Sequence, residues 1–545
     1  MERIGTRLKN KAGLFFRSET SVSEWALAFL GVIGIRMALE VLILPNKNDS
    51  VEGILTAYLH YSLFFSILIM LVWLIAAFFA GIEIKKPAFL MLVLSWFIIL
   101  PPILDMIKTG GRIYWSFYLL EDITSLFGQF KTFMGDLPPG IVYFGSKILF
   151  GSTVIFSGMA VFLKTKKLLR SLACSFFVYA ALFFLASFPS WFSYAYYFLN
   201  ENRPIWEVKT HHILHLFAVP VGILGLEEVV LKHAFAFKLN LIYFPMMIFL
   251  VGAIFFFSNR KKLFSVWNDF RFPQLIYHGG LFFVGMGLGF LAYPEAFKLE
   301  IFSFFAIFNL LLSIGLAWIA SVFINDIYDF NVDKLSNPKR PLQQSIFTIS
   351  EYKDLGFFFF ILSLIGGLMI GIKFMLILVF YQFIAWTYSA PPFRIKKIPL
   401  IASFFSALAS ILILFLGFLL FSGDQNLAGM PWKAVLLLLV ALTLSLPLKD
   451  FKDIEGDKKY GVWTIPVIFG EEKGRLVVAV GIFISFMLSV FLLNEFKLFW
   501  WAILFGIISF LVLINQKINP RNLFWWVLVP VSVYGAIMVK ILFLN

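Results

Sequence analysis

Cysteine is nearly absent from this chain, since Cys174 is the one cysteine among 545 residues. A disulfide within the chain is therefore excluded, and so is a metal site built from several thiolates. Charged residues are also scarce: they make up 14% of the chain, against roughly 25% in soluble domains. Hydrophobic residues make up 61% and the mean hydropathy is +0.90, so water is not the main solvent of this protein.

Long apolar runs stand where a soluble protein would carry charge. Runs of about 18 or more residues recur, and each is long enough to cross a ~30 Å hydrocarbon core as a helix. The first half is expected to contain about six spans, near residues 22–44, 54–82, 87–107, 141–163, 170–190 and 239–257. The second half is expected to contain nine, near residues 274–296, 301–328, 353–371, 373–389, 398–421, 433–449, 475–494, 497–515 and 522–541. The predicted fold class is all-α, a polytopic membrane protein.

The formal charge of +14 does not indicate a nucleic-acid partner, because Lys and Arg stand in short clusters between the apolar runs. This placement is typical of the positive-inside rule, by which basic residues collect on the cytoplasmic side. When the connections of the second half are assigned alternately to the two sides, one side holds nineteen Lys and Arg and the other five. We therefore predict nine spans and an outer C-terminus. The first apolar segment has no cleavage site after it and is expected to be retained.

A basic stretch divides the chain into halves of different character. It reads SNRKKLFSVWNDFRFP, at residues 258–273, and its composition favours an irregular cytoplasmic linker. We expect a membrane domain of unknown role at residues 1–257 and a second membrane domain at residues 274–545. In the first half, the connections 108–140 and 191–238 contain aromatic residues, Pro and mixed charge, and they are expected to lie along the membrane interface.

Two acidic motifs stand where helices of the second half reach the cytoplasmic side. NDIYDFNVD ends the second predicted span of that half, and KDFKDIEGD ends the sixth. Their aspartates share the offsets 0, +3 and +7, which place three carboxylates on one face of a helix. Such a cluster is costly near a membrane unless a cation relieves it, and Mg²⁺ prefers oxygen ligands together with substrate phosphate. The candidate metal ligands are Asn325, Asp326, Asp329, Asp333, Asp450, Asp453 and Asp457.

The simpler interpretation of one acidic cluster is that it solvates a helix end, and the repeated spacing argues against it for two. Basic residues follow both motifs, as a phosphate site requires, because Arg holds phosphate oxygens bidentately and Lys acts as a point charge. Ordinary positive-inside anchoring is the alternative for these residues, above all for Lys396 and Lys397. The candidates come from NPKRPL, YSAPPFRIKK and the second motif: Lys339, Arg340, Tyr388, Arg394, Lys396, Lys397 and Lys449.

These motifs resemble those of the UbiA superfamily of intramembrane prenyltransferases. NDIYDFNVDKLSNPKRPL is similar to its first aspartate-rich motif, KDFKDIEGDKKYGVWTIPVIFG to its second, and YSAPPFRIKK to the connector between them. The resemblance covers about residues 274–545 and implies a nine-helix bundle, preceded here by the additional N-terminal helices. One departure is QQSIFTIS after the first motif, where many members have a small, glycine-containing segment.

The resemblance implies a magnesium-dependent transfer of a prenyl group from an isoprenyl diphosphate to a hydrophobic quinone-precursor, aromatic or lipid acceptor. The seven candidate ligands would hold Mg²⁺ and the donor's diphosphate, with Asp326, Asp329, Asp450 and Asp453 central to catalysis. Arg340, Arg394 and Lys449 would promote loss of diphosphate, and Lys396 would lie near it. Tyr388 is the first candidate for a contact near the reacting centre. The expected location is the cell membrane of a bacterium or archaeon, with the active site on the cytoplasmic side.

Two other functions remain open at this point. The same fold could transfer a phosphoribosyl group to a polyprenyl phosphate, as one branch of the superfamily does. A divalent-cation transporter could line its path with aspartates, although both acidic clusters are predicted on one side of the membrane.

The first half contains polar residues without a clear assignment. HHILH supplies His211, His212 and His215, with Glu227 and Glu228 further along, and it could be drawn as an external metal site. An interfacial segment with scattered polar residues is the preferred interpretation. Near the first apolar run stand Glu24, Arg36 and Glu40, and the spacing of the last two predicts an ion pair one helical turn apart.

Overall fold

The structure is a computed structural model that describes residues 20–43, 50–109, 118–135, 144–218, 231–296, 300–422 and 426–543. These ranges contain α-helices and short 3-10 helices and no strand. Among them, 15 helices are long and apolar enough to cross a membrane. Six lie before residue 259 and nine after residue 271, so the predicted all-α, polytopic fold and both predicted helix counts are confirmed. The retention of the first apolar segment stays a prediction, since residues 1–19 before it lie outside the described ranges. Glu227 and Glu228 also lie outside them.

Most helices of the first half begin and end close to the predicted limits; the sixth span, predicted at residues 239–257, begins eight residues earlier, at Leu231. The third span is built from three pieces: α3 (Ala88–Ser95), a 3-10 turn at Trp96–Ile99, and α4 (Leu100–Thr109). The helices are α1 (Val22–Ile43), α2 (Val51–Ala80), α3 (Ala88–Ser95), α4 (Leu100–Thr109), α5 (Leu126–Thr132), α6 (Phe144–Thr165), α7 (Leu168–Ala186), α8 (Phe188–Glu201), α9 (Thr210–Ala218) and α10 (Leu231–Ser258).

In the part of the second half that the structure describes, the nine predicted spans are joined by three additional short helices. The helices are α11 (Arg260–Asn268), α12 (Phe272–Ala292), α13 (Ile301–Tyr328), α14 (Phe330–Ser336), α15 (Ile349–Ile370), α16 (Ile372–Ser389), α17 (Ile401–Phe421), α18 (Trp432–Ser445), α19 (Ile454–Lys459), α20 (Ile465–Leu493), α21 (Phe499–Ile514) and α22 (Leu523–Phe543). A 3-10 helix, Leu446–Lys452, continues α18.

Two boundaries differ from the sequence expectation. The stretch expected to be irregular contains α11, whose first turn is capped by Asn259: its Oδ1 accepts a hydrogen bond from the Lys262 amide at 3.0 Å. Helix α20 begins at Ile465, ten residues before the predicted start, with Pro466 in its first turn. Gly470 interrupts it with a φ of 77°, a left-handed conformation that favours glycine.

The described residues separate into two compact units. The first takes those before residue 264 together with Glu300–Asn309, and the second takes residues 264–296 and those from Leu310 onward. In the first unit α2 packs against α6, α7 and α10. In the second, α12 packs closely on α17, because a Cβ at Gly285 would lie 2.0 Å from the Leu414 carbonyl oxygen. Small residues of this kind allow the backbones of membrane helices to approach.

The polar residues singled out in the first half are held in local contacts. Arg36 is buried and its Nη2 lies 3.0 Å from Glu40 Oε1, so the predicted ion pair is confirmed. Its Nη1 donates to the Ile98 carbonyl at 3.1 Å. His212 of the HHILH segment has both ring nitrogens in hydrogen-bonding contact, with Arg203 and with the Lys209 amide. These contacts leave His212 occupied by protein partners, in agreement with the preferred non-metal interpretation.

Candidate active site

Both acidic motifs contain the same break in the helix. Helix α13 ends after Asp326, and Asp329 stands before α14 with φ −99° and ψ 10°. The 3-10 helix that continues α18 ends after Asp450, and Asp453 stands before α19 with φ −113° and ψ 11°. The offsets predicted that the three aspartates of a motif share one continuous helix. This prediction is wrong, because the helix is interrupted within each motif. The middle aspartate of each sits at a turn between two helical segments.

The short helices that follow the two breaks pack against each other. On α19, a Cβ at Gly456 would lie 2.3 Å from Ser336 Oγ and 3.1 Å from Val332 Cγ1 of α14. Asn337, at the end of α14, connects the two motifs, because its Nδ2 donates to Asp333 Oδ1 at 3.0 Å and lies 3.3 Å from Asp453 Oδ1. The two acidic clusters, 124 residues apart in sequence (450 minus 326), thus lie at one place in the fold.

A cavity of about 340 Å³ lies in the second unit, and most of the candidate residues line it. Arg394 and Asp326 are not part of its lining, and Asp326 is 1% exposed behind it. Lys339 and Lys397 are likewise not among the residues that form the wall. The candidates that do line the cavity are Asn325, Asp329, Asp333, Arg340, Tyr388, Lys396, Lys449, Asp450, Asp453 and Asp457.

Two arginines hold the first carboxylate of the first motif. Arg340 Nη1 lies 2.8 Å from Asp326 Oδ1 and also contacts Asp333 Oδ2. Arg271 makes an ion pair with the same Asp326 oxygen, and this contact raises the pKa of the Arg271 guanidinium further. Burial raises the pKa of the Asp333 carboxyl to about 6. An additional cation near this buried carboxyl would stabilise its charged form.

The middle carboxylate of the first motif is paired with the connector YSAPPFRIKK. Lys396 contacts Asp329 Oδ1, and Arg394 Nη2 lies 3.4 Å from it. Burial lowers the pKa of the Lys396 amine to about 8. In the second motif, burial raises the pKa of the Asp457 carboxyl to about 7, and the charges of Asp450 and Asp453 add to this effect. The site therefore combines closely spaced acidic groups with basic groups that partly offset them.

The remaining candidates, Asn325, Tyr388 and Lys449, contact side chains outside the two acidic motifs or each other. Lys449 Nζ donates to Ser406 Oγ at 3.3 Å and lies 5.1 Å from the centre of the Tyr388 ring. Asn325 Oδ1 accepts a hydrogen bond from Ser389 Oγ at 3.3 Å. Tyr388 and Lys449 thus lie next to each other in the cavity wall, and Lys449 directly precedes Asp450 of the second motif.

Sequence reasoning missed three residues that support the site. Tyr352, on α15, is fully buried and donates a hydrogen bond to Asp269 Oδ2 at 2.7 Å, with Asp326 Oδ2 3.4 Å away. Burial, with the nearby charge of Asp326, raises the pKa of the Asp269 carboxyl to about 7. Asp269 and Arg271 were visible as a charged pair, NDFRF, directly before an apolar run. Tyr352 carried no comparable signal among the 18 tyrosines.

The donor set suits a hard cation that shares its ligands with a phosphate. Within the described ranges, no group of three or more His, Cys, Asp or Glu side chains is gathered closely enough to hold a metal by itself. Carboxylates of the first motif instead make direct ion pairs with the arginine and lysine side chains of the cavity wall. Mg²⁺ is commonly bound by one or two carboxylates together with waters and substrate phosphates, and the residues present fit that mode of binding.

The second half is thus an all-helical membrane domain in which paired acidic motifs surround a partly basic cavity. Residues 280–538 match the UbiA prenyltransferase family. The C-terminal half of the chain is thus a member of that family.

Curated relatives resemble part of the chain. A digeranylgeranylglyceryl phosphate synthase of Pyrococcus horikoshii is 27% identical over 166 residues, which are 30% of this chain and 57% of that protein. A chloroplastic 2-acyl-4-prenylphloroglucinol 6-prenyltransferase of Humulus lupulus is 33% identical over 171 residues, 29% of this chain and 40% of that protein. The matched region therefore spans about half the length of these relatives.

Among solved structures, a UbiA homolog from Archaeoglobus fulgidus bound to DMAPP and Mg²⁺ has a TM-score of 0.39 and 21% identity. The likeness covers 50% of this chain and 98% of that one. The apo structure of a UbiA homolog from Aeropyrum pernix K1 has a TM-score of 0.40 and 20% identity, covering 50% and 99%.

Proposed function

We propose that the C-terminal half transfers a prenyl group from an isoprenyl diphosphate to a hydrophobic acceptor within the membrane, with Mg²⁺ as cofactor. The observation that carries the proposal is the pair of acidic motifs. They share offsets and a helix break, pack against each other, and line one cavity with arginine and lysine. A diphosphate is the kind of ligand that needs both metal-binding carboxylates and cationic side chains.

Several relatives carry names that agree with this chemistry. They include digeranylgeranylglyceryl phosphate synthases and a prenylphloroglucinol prenyltransferase. A UbiA homolog from Archaeoglobus fulgidus has been solved with GPP and Mg²⁺. An isoprenoid donor with a quinone-precursor, aromatic or lipid acceptor is therefore the substrate class that we assign to this chain.

The residues that would hold Mg²⁺ are the oxygen donors of the two motifs, with Asn325 as a neutral ligand. Bound magnesium would withdraw charge from the diphosphate and make it a better leaving group. The ligands that we assign are Asn325, Asp326, Asp329, Asp333, Asp450, Asp453 and Asp457.

The basic side chains of the site would stabilise the charge that develops on the departing diphosphate. Arg340 is held in place by Asp326 and Asp333, and Lys396 and Arg394 are held by Asp329. Because these contacts orient the cations before the donor binds, little reorganisation is needed at the moment of bond breaking. Lys449 and Tyr388 lie together on the membrane side, where the allylic end of the donor would be placed, and an aromatic face stabilises a cation there.

The membrane sidedness and the domain division belong to the same proposal. The acidic motifs and most Lys and Arg of the connections share one side, which the positive-inside rule assigns to the cytoplasm. We assign catalysis to residues 274–545, a linking role to residues 258–273, and a separate membrane domain to residues 1–257.

The experiment incubates purified full-length protein with Mg²⁺, a panel of prenyl diphosphates and a membrane lipid extract, and identifies products by mass spectrometry. We expect release of diphosphate and a prenylated product, both lost in Asp450→Ala and Asp326→Asn. Glu455→Ala is the matched control, because Glu455 is an exposed carboxylate of the second motif that does not line the cavity.

Full activity of either aspartate variant would refute the role of the paired motifs. Consumption of phosphoribosyl diphosphate in place of a prenyl diphosphate would overturn the assigned donor. In that case the activity would be phosphoribosyl transfer on the same fold.

A further inference from the structure

The cavity has two kinds of wall at membrane depth. Helix α22 and the end of α18 contribute apolar side chains, among them Leu442, Phe524 and Val527. Helices α12, α13 and α16 contribute aromatic and polar ones: Gln274, Tyr277, His278, Trp318 and Tyr381. A prenyl chain needs only the apolar wall, so the second wall is available for a different ligand.

The deeper part of the polar wall, with His278 and Trp318, lies away from the carboxylates, whereas Gln274 stands about one helical turn from Arg271. Arg271, directly before α12, is paired with Asp326, and His278 lies seven residues further along that helix (278 minus 271), about 10 Å deeper at 1.5 Å per residue. On α13, Trp318 lies eight residues before Asp326 (326 minus 318), about 12 Å away along the axis. His278 and Trp318 meet at this depth, with ring centroids 4.9 Å apart.

The imidazole of His278 is buried here, and its Nδ1 lacks a hydrogen bond of normal geometry. It is 5% exposed, and although its ring lies beside the Gln274 backbone carbonyl, Nδ1 makes no hydrogen bond of normal geometry. Gln274 Oε1 is likewise buried without a partner. Buried polar atoms in folded proteins are normally paired, and an unpaired one costs free energy unless a ligand or water satisfies it.

The neighbouring donors are already in use. Trp318 Nε1 donates to the Phe270 carbonyl at 3.0 Å, and Tyr277 Oη donates to Ser410 Oγ at 2.7 Å. A neutral imidazole keeps one nitrogen as an acceptor, and an amide oxygen is an acceptor. The polar atoms of this wall that a ligand could contact therefore include hydrogen-bond acceptors, on His278 and Gln274. A ligand that carries a hydrogen-bond donor would satisfy them.

Among the described residues that line the cavity, no lysine or arginine lies at the depth of His278 and Trp318. Each cationic lining residue belongs to the acidic end: Arg271 and Arg340 contact Asp326, Lys396 contacts Asp329, and Lys449 and Lys452 adjoin the aspartates of the second motif. A carboxylate or phosphate placed beside His278 would meet lone pairs in an apolar surrounding, at a large desolvation cost.

We infer that His278 and Gln274 bind the head group of the prenyl acceptor, and that this head group is an uncharged hydroxyl of an alcohol or a phenol. The acceptor's O–H donates to the imidazole or to the amide oxygen, while Trp318 and Tyr381 pack on the atoms behind it. The inference rests on the proposed function, since it takes the donor to occupy the acidic end of the same cavity. Sites that hydrogen-bond a substrate hydroxyl discriminate strongly against analogues that lack it.

The test measures binding of four small probes to the full-length protein in nanodiscs, with Mg²⁺ and the unreactive donor analogue geranylgeranyl thiolodiphosphate. The probes are para-propylphenol, its isomer phenylpropanol, para-propylanisole, which has no O–H, and para-propylbenzoate, an anion. We expect one of the two hydroxyl probes to bind about five- to tenfold more tightly than the anisole, and the benzoate to bind most weakly. The tighter of the two isomers identifies the hydroxyl as phenolic or aliphatic.

The variants separate recognition from folding. His278→Phe keeps the ring volume but removes the acceptor, so the preference for hydroxyl over anisole is expected to fall to about one while affinity for the thiolodiphosphate is unchanged. His278→Asn retains an acceptor and is expected to keep part of the preference. Gln274→Met is the second test of the same kind, at a position that is less buried.

The outcomes distinguish the inference from the proposed function. Equal binding of the hydroxyl and anisole probes by the wild-type protein, tighter binding of the benzoate, or an unchanged preference in both His278→Phe and Gln274→Met would overturn the inference alone. Failure of the wild-type protein to bind the thiolodiphosphate with Mg²⁺ would overturn the proposed function, and with it this inference.

Discussion

The ion pairs of Asp326 make a specific prediction about stability. Its side chain is 1% exposed and contacts Arg271 and Arg340, whose side chains are 21% and 12% exposed. Removal of one partner from a buried pair costs about 3–5 kcal/mol, because a charge stays buried without compensation. Asp326→Ala is therefore expected to lose at least about 3 kcal/mol of the free energy of unfolding. Asp326→Asn is expected to lose less, because the amide oxygen still accepts from either arginine.

A double-mutant cycle tests the cause of this loss. Arg271→Gln in the Asp326→Asn background removes a guanidinium that has lost its anionic partner, so the double variant is expected to be more stable than the sum of the single losses predicts, by about 0.5–3 kcal/mol. The assay is reversible unfolding of the full-length protein in mixed micelles, with Glu455→Ala as control. Wild-type stability in Asp326→Ala, or strict additivity in the cycle, would refute the reasoning.

Three further predictions follow from named contacts. Gly456→Val should lower the rate of prenyl transfer by about 10²-fold, because the new side chain forces α19 away from Ser336 by roughly 1 Å. The double variant Ser336→Gly/Gly456→Val should recover part of the lost rate. Arg36→Met should reduce the free energy of unfolding by about 3 kcal/mol, because the half-buried Glu40 loses its cationic partner, and denaturation with an unchanged midpoint would contradict this. Mg²⁺ with geranylgeranyl thiolodiphosphate at 100 times its Kd should stabilise the protein by about 2.7 kcal/mol, measured as a shift in Tm that EDTA abolishes and Asp450→Asn lacks.

The sequence was sufficient for the features that depend on local composition. Span number follows from apolar runs, since a helix must satisfy its own backbone in lipid, and the described residues after 271 contain nine helices long and apolar enough to span. The two acidic motifs were recognisable because they repeat one spacing. Local signals were weaker at boundaries: Asn259 and Pro466 begin helices that hydropathy alone did not indicate.

The membrane fold and the acidic motifs were thus determined by the sequence itself, through hydropathy and spacing. Only the tertiary structure shows that Arg271 and Tyr352 converge on Asp326, and that Asn337 lies between the two motifs. It alone shows that each motif breaks at its middle aspartate, and that Nδ1 of His278 is buried without a hydrogen bond of normal geometry. The physical reason is that pairing and burial depend on which helix faces which, and neighbours along the chain do not specify those contacts.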